Sequence, residues 1–229
     1  MDSEKRLFVV IIGDVSGSKR LSSRNRYQTQ LFIKSAIVQI NEEFEEHIEA
    51  PFTITKGDEF QGLVSNMEAA LHIMLYLEKI TYPVKLRFGI GVGHVYKMGG
   101  TLPIEMDGPA FHRANAALNH GKKKKFPCYM TSPDEGLDIL CNSVFQLIHA
   151  IKTRWNDRHY RLYWSYQDLG TYREVAEREH VTPQAIHEAL KTMRAAQVQA
   201  AESDLMTYFR KFPLLVRDQS VNDDGALLR

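Results

Sequence analysis

The sequence predicts an α+β protein, with a ferredoxin-like sheet of element order βαββαβ followed by an all-helical region that contains a helix-turn-helix. Strand-like and helix-like apolar patterns alternate up to about residue 133, and the pattern beyond residue 134 is almost entirely helical. We therefore expect a sheet domain over residues 1–133, a helical domain over 134–216 and a mobile tail over 217–229.

Apolar spacing defines the elements of the first domain. The continuous apolar run at 7–12 is typical of a buried strand, and apolar residues recur at helical spacing over 22–49. By the same criteria the elements that follow are strands 52–55 and 60–64, helix 67–80, strand 84–95, helix 109–122 with Asp107 as its N-cap, and strand 127–130. This order predicts one antiparallel sheet with helices on one face.

The second region shows the spacing of a helix-turn-helix. Helices are expected over 137–154, 158–169, 173–179 and from 183 to about 212, and Thr182 before Pro183 is a helix start signal. In such a motif Thr182, Gln184 and His187 reach base edges, and Lys191 adds positive charge on the same helix. A plain helical hairpin that packs on the first domain is the alternative.

Composition excludes several classes of protein. The 229 residues include 29 basic and 28 acidic side chains, so the chain lacks the basic excess of a strong nucleic-acid binder. The two cysteines show no metal-binding spacing, which indicates buried thiols in a reducing compartment. No apolar stretch reaches membrane-spanning length, so we expect a cytoplasmic protein with no membrane partner.

Two aspartates at predicted turns are candidate metal ligands. Asp14 ends the first strand and Asp58 lies in the hairpin turn, and the predicted topology brings both to one end of the sheet. Two close carboxylates repel each other unless a cation lies between them, and Mg²⁺ or Mn²⁺ suits such a pair. The alternative for each segment is an ordinary polar turn.

Residues around these aspartates are candidates for phosphate contact. The backbone amides of Ser16, Gly17 and Ser18, followed by a helix N-terminus, suit phosphate oxygens. Four basic side chains are further candidates for phosphate contact: Lys19, Lys56, His112 and Arg113. The four lysines at 122–125 favour a helix C-terminus and need not bind anything.

The same segments carry a resemblance to known families. The segments IIGDVSGSKRL, ITKGDEFQGLV, LRFGIGVGHV and EMDGPAFHRANAAL, in this order, resemble the SatD family of bacterial proteins. Residues 6–131 more distantly resemble the palm of class III nucleotide cyclases, and the helix-turn-helix resembles the sigma-factor type. The cyclase resemblance implies that Asp14 and Asp58 hold metal together with the carbonyl of Val15, and that Ser16 to Ser18 form the phosphate turn.

Two departures from the cyclase pattern argue against cyclase chemistry. Ile54 stands where cyclases have a purine-selecting lysine, and Ala116 stands where they have a transition-state arginine, with His112 in place of its asparagine partner. We therefore expect a regulatory homodimer with a metal-dependent nucleotide or phosphate site and a DNA-binding helix-turn-helix, rather than an enzyme. The alternative is a metal-dependent nucleotidyl or phosphoryl transferase.

Overall fold

The computed structural model describes residues 7–18, 22–97 and 101–214. Five strands form the central sheet in the order β2-β3-β1-β4-β7, and two others form a short separate ribbon. The strands are β1 (Phe8–Val15), β2 (Ile48–Lys56), β3 (Glu59–Val64), β4 (Leu86–Gly93), β5 (Tyr96–Lys97), β6 (Met106–Asp107) and β7 (Cys128–Thr131). The helices are α1 (Ser23–Glu43), α2 (Met67–Thr81), α3 (Pro109–Lys124), α4 (Glu135–Lys152), α5 (Asp157–Leu169), α6 (Tyr172–Glu179), α7 (Pro183–Thr192) and α8 (Ala195–Lys211).

The sheet is mixed, whereas the sequence predicted an antiparallel one. The strands β2, β3, β1 and β4 are antiparallel in the order of a ferredoxin-like βαββαβ unit, with β1 in the middle. The fifth strand, β7, pairs in parallel with β4 because α3 carries the chain back along the sheet between them.

Helices cover both faces of the sheet, so the expectation of helices on one face is wrong. Val9 and Ile11 of β1 pack in one core with α1 and α2, while Val10 and Ile12 pack in another core with α3. Three alternate glycines of β4 (Gly89, Gly91 and Gly93) allow α3 to lie directly on the strand. A Cβ at Gly91 would lie 2.0 Å from the Ala110 carbonyl oxygen.

Several helix ends differ from the prediction. The first helix ends at Glu43, with Phe44 as its C-cap, six residues before the predicted end at 49. Gly108, at φ 138°, is the N-cap of α3, and Asp107 instead accepts a hydrogen bond from the Gly108 amide. The predicted helix from 183 to 212 is two helices, because Arg194 adopts the left-handed conformation between α7 and α8.

The C-terminal helices pack in two ways. Phe145 of α4 and Phe209 of α8 join the core formed by the sheet, α1 and α2. Helices α5, α6 and α7 surround a second core around Leu162, Tyr163 and Ile186. The division into two domains stays a prediction, and the predicted tail lies outside the described residues. Over the ranges described, no helix combines the length and apolar character needed to cross a bilayer.

Candidate functional site: a buried charge cluster at the end of the sheet

Asp14 lies at the end of the central strand and is 9 % exposed. In the sheet register its neighbours are Glu59 of β3 on one side and Arg87 of β4 on the other. Asp14 has the same parity in β1 as Val10 and Ile12, which pack on α3. The carboxylate therefore faces α3, whose last turn closes over this end of the sheet.

The cation that contacts Asp14 is a side chain of the protein. Lys122, in the last turn of α3, places its Nζ 3.1 Å from Asp14 Oδ2 and 3.3 Å from Glu59 Oε2. Arg87 Nη1 lies 3.6 Å from Asp14 Oδ1. Burial of the ammonium acts to lower the pKa of Lys122, but hydrogen bonds and charge from Asp14 and Glu59 outweigh it and raise that pKa. Two carboxylates and two cations thus form a charge-balanced cluster, which we call the Asp14 cluster (Asp14, Glu59, Arg87 and Lys122).

One oxygen of the cluster lacks a hydrogen bond. Asp14 Oδ1 is buried, and among the described residues no donor lies within hydrogen-bonding geometry of it. Its separation of 3.6 Å from Arg87 is an ion-pair distance and too long for a hydrogen bond. An unsatisfied buried oxygen is costly in free energy. It therefore marks this strand end as a candidate site rather than an ordinary part of the core.

The turn after Asp14 holds the residues that the sequence predicts to contact phosphate. Val15 is buried and pairs with Leu86 in the sheet. The Ser16 amide donates to the Lys85 carbonyl at 2.8 Å, so that amide is already used. Gly17, at φ 79°, turns the chain away from the strand and precedes Ser18. Lys19 lies outside the described residues.

The hairpin turn brings a different carboxylate to Asp14 than the sequence suggested. Asp58 lies in the turn at the same end of the sheet, but the residue opposite Asp14 is Glu59. Lys56 pairs in register with Glu59 across the hairpin and is exposed. Within the described ranges no group of three or more His, Cys, Asp or Glu side chains is arranged to hold a metal ion. Lys122 Nζ lies between the two facing carboxylates of Asp14 and Glu59.

The structure does not bring His112 and Arg113 to the Asp14 cluster. His112 lies in the first turn of α3, Arg113 follows it directly and Lys122 lies in the last turn, and ten residues of helix span about 15 Å. His112 is exposed, with its Nε2 3.3 Å from Asp107 Oδ1. Arg113 donates to the Val92 carbonyl at 2.8 Å, a contact for which Gly93 leaves room.

The predicted DNA-reading residues lie on α7, and three of them have partners within the protein. The Thr182 hydroxyl caps α7 by accepting from the Ala185 amide, and Gln184 donates to Glu188 Oε1 at 3.2 Å. His187 Nδ1 lies 3.3 Å from the same Glu188 oxygen, while Lys191 is exposed. Helices α6 and α7 are joined by residues 180–182, with His180 in the left-handed conformation. The helix-turn-helix assignment stays a prediction.

A second buried charge cluster, which sequence reasoning missed, joins α2 to the C-terminal helices. Lys152, 7 % exposed, lies 2.7 Å from Glu78 Oε2 and 2.8 Å from Glu202 Oε1. Glu202 also accepts from the Tyr163 hydroxyl at 2.5 Å. Burial acts to lower the pKa of Lys152, but the two carboxylates outweigh it and raise that pKa. Helical periodicity places Lys152 in α4, but it does not predict that the carboxylates of two distant helices converge on it.

This second cluster forms one wall of a cavity. The cavity, of about 170 Å³, lies between α2, β4 and the C-terminal helices, and its walls are mainly apolar side chains such as Met74, Phe88 and Phe145. Lys152 and Glu202 line it as well. The cavity therefore lies at the boundary between the sheet and the C-terminal helices.

Fold and site together define an α+β protein whose mixed sheet ends in a buried, charge-balanced cluster. The chain belongs to the SatD family, whose profile matches residues 8–210, as the sequence resemblance indicated. No curated protein matches the chain.

Solved structures that are similar to part of this chain include three nucleotide cyclases. A bacterial light-regulated adenylyl cyclase is 14% identical, with a TM-score of 0.42 over 55% of this chain and 76% of that chain. The catalytic core of a rhodopsin-guanylyl cyclase with converted specificity, in complex with ATPalphaS, is 15% identical, with a TM-score of 0.38 over 51% of this chain and 73% of that chain. The guanylyl cyclase Cya2 is 13% identical, with a TM-score of 0.38 over 52% of this chain and 73% of that chain.

Proposed function

We propose that this protein is a regulator whose Asp14 cluster binds a phosphate-bearing ligand, of which a nucleotide is the first candidate, and whose C-terminal helices transmit the binding event. The observation that carries the proposal is the cluster itself. Replacing a largely covered ion pair such as Asp14 and Arg87 by apolar residues is often neutral or stabilising, so stability alone does not account for this pair at the strand end. A buried carboxylate oxygen without a hydrogen-bond donor, such as Asp14 Oδ1, is uncommon in a structural core and adds to the case for a site.

The exposed side of the cluster offers a hydrogen-bond donor, the Lys122 ammonium, beside the Glu59 carboxylate. The side chains of Lys122 and Glu59 are each 35% exposed, whereas those of Asp14 and Arg87 are largely covered. An ammonium has three donor hydrogens. Two of them serve Asp14 and Glu59, which leaves the third for a phosphate oxygen that approaches from solvent. The turn at Gly17 and Ser18 borders the same end of the sheet and offers backbone amides.

The second charge cluster supports transmission to the C-terminal helices. Lys152, Glu78, Glu202 and Tyr163 belong to α4, α2, α8 and α5, so their contacts link a helix that packs on the sheet to three helices of the C-terminal region. Because each member is a partner of another, a shift of α2 changes the contacts of the other three helices. This arrangement supports a regulatory role over a purely structural one.

A thermal-shift experiment tests ligand binding directly. ATP, GTP, their diphosphates and inorganic tripolyphosphate are each added with EDTA or with Mg²⁺. A ligand present at 100 times its Kd stabilises the folded state by about 2.7 kcal/mol, or roughly 5–10 °C for a chain of this size. We expect such a shift with at least one polyphosphate, its loss in Lys122→Met and its retention in Lys123→Met. A panel in which no compound shifts the wild-type protein contradicts the proposal.

We propose that the C-terminal helices transmit the binding event to DNA, and that α7 makes the DNA contact in a homodimer. Lys191 and Gln184 lie on the exposed side of this helix, which supports the assignment. Residues 172–192 carry three basic and four acidic side chains, so one copy is a weak binder and two half-sites are needed. Light scattering should give a dimer, and anisotropy with a labelled 30-base-pair duplex should show binding that weakens as salt rises and is reduced in Lys191→Met. A monomer with no DNA affinity at 50 mM salt contradicts the proposed DNA contact.

A further inference from the structure

The Asp14 cluster also bears on whether the site uses a metal ion, a question that rests on the phosphate-binding function proposed above. Asp14 and Glu59 face each other across β1 and β3, and such a carboxylate pair is what a divalent cation needs. Asp14 is buried, and its Oδ1 lacks a hydrogen bond within the described part of the chain. The position between the carboxylates is nevertheless taken, because Lys122 Nζ lies 3.1 Å from one and 3.3 Å from the other.

A divalent ion and the Lys122 ammonium compete for the same oxygens. Mg²⁺ binds carboxylate oxygens at about 2.0–2.1 Å, so it needs the space that the ammonium fills. Arg87, 3.6 Å from Asp14, places a second positive charge beside the same carboxylate. The two cations already balance Asp14 and Glu59, so little electrostatic attraction is left for a third.

We propose that the Lys122 ammonium is the resident cation of this site and that it excludes a divalent metal ion, so that phosphate binding there needs neither Mg²⁺ nor Mn²⁺. This departs from the metal site that the aspartates suggest in the sequence. Only one residue of the lysine run at 122–125 is placed to exclude the metal ion. Lys123, Lys124 and Lys125 follow directly and are exposed, whereas Lys122 lies beside Gly121, which is buried against the sheet near Arg87.

The test measures Mn²⁺ binding alone, by electron paramagnetic resonance of the free ion, with no nucleotide present. Four proteins are compared: wild type, Lys122→Met, the neighbouring control Lys123→Met, and the double variant Lys122→Met with Asp14→Asn. We expect wild type and Lys123→Met to bind no Mn²⁺ at a specific site up to 1 mM. Lys122→Met should bind one ion at least roughly 100-fold more tightly than wild type, because a repelling charge at contact distance has been removed. The double variant should lose this binding.

Two results overturn the inference. One is stoichiometric Mn²⁺ binding by the wild-type protein that Asp14→Asn abolishes, since the ion and the ammonium would then coexist. The other is no gain of binding in folded Lys122→Met, since the ammonium would then not be what excludes the ion. Far-UV circular dichroism verifies folding, and Lys122→Gln, which keeps a polar side chain, is measured alongside. The experiment uses no phosphate ligand, so it can succeed even where the thermal-shift panel shows no binding.

Discussion

Substitution of Lys152 by methionine should destabilise the protein far more than the same substitution at a surface lysine. The change removes the ammonium that lies 2.8 Å from Glu202, whose side chain is 6% exposed, and leaves that carboxylate buried without its counter-charge. Removing one partner of a buried pair typically costs about 3–5 kcal/mol, against a total stability of about 5–15 kcal/mol. For a chain of this length this corresponds to a fall in Tm of roughly 6–20 °C.

Lys79→Met is the matched control. Lys79 also joins α2 to a C-terminal helix, through Asp168 at 2.5 Å, but the two side chains are 33% and 47% exposed. An exposed pair contributes about 0–1 kcal/mol. Unfolding by urea, followed by far-UV circular dichroism, gives both free energies. Adding Glu202→Gln to Lys152→Met should restore more than half of the loss, because the uncompensated charge is removed. Equal effects of the two lysine substitutions, or no recovery in the double variant, would refute this reasoning.

Three further predictions address the fold, the pH dependence and the chemistry. Gly91→Ala should cost stability at the upper end of the roughly 1–3 kcal/mol range of overpacking, because its Cβ would lie 2.0 Å from the backbone of α3. Gly136→Ala should cost less in the same melts, because its Cβ would meet only one side-chain atom, Asp134 Oδ1 at 3.3 Å, and no backbone. Burial, followed by the charge of Lys85, lowers the pKa of His149, so the folded state binds this proton less tightly than the unfolded state. Stability should therefore fall as pH drops below about 6.5, less steeply in His149→Gln, as urea unfolding from pH 8 to 5 will measure. The protein should not convert ATP or GTP to cyclic nucleotides over many turnovers, since Ile54 and Ala116 replace the lysine and arginine of the cyclase pattern; chromatography of the products, with Asp14→Asn beside the wild type, measures this.

Much of the sheet was predictable because its signals are local. The apolar run of β1, the Gly-Asp hairpin and the helical spacing of α2 each lie within a few residues to a few turns, and the structure has all three. The covering of both faces was missed. Gly89, Gly91 and Gly93 lie within the strand predicted over 84–95, and in the structure they let α3 approach the backbone of β4. Continuous burial of β1 was the available signal, since a strand buried on both sides needs cover on both.

The charge clusters could be predicted only in part. Asp14 stands out in the sequence because it ends a buried strand, but its partners Arg87 and Lys122 come from segments 73 and 108 residues further along the chain. The lysine run at 122–125 was interpreted as a solvated helix end, and for three of its four members exposure agrees with that interpretation. Only the helical phase of α3, combined with its packing on the glycines of β4, distinguishes Lys122. The contact between Lys152 and Glu202 could not be predicted either, because it depends on how three helices pack together.

Isothermal titration calorimetry with a nucleoside triphosphate in EDTA tests the central claim most directly. The ligand is the one that gives the largest thermal shift, and the proteins are wild type, Asp14→Asn and Lys122→Met. If the Asp14 cluster is a metal-free phosphate site centred on Lys122, the wild type binds in EDTA with the affinity it has in Mg²⁺. Asp14→Asn then binds equally well or more tightly, since a negative charge beside Lys122 is lost, while Lys122→Met does not bind. Binding that appears only with Mg²⁺ and disappears in Asp14→Asn would contradict the account.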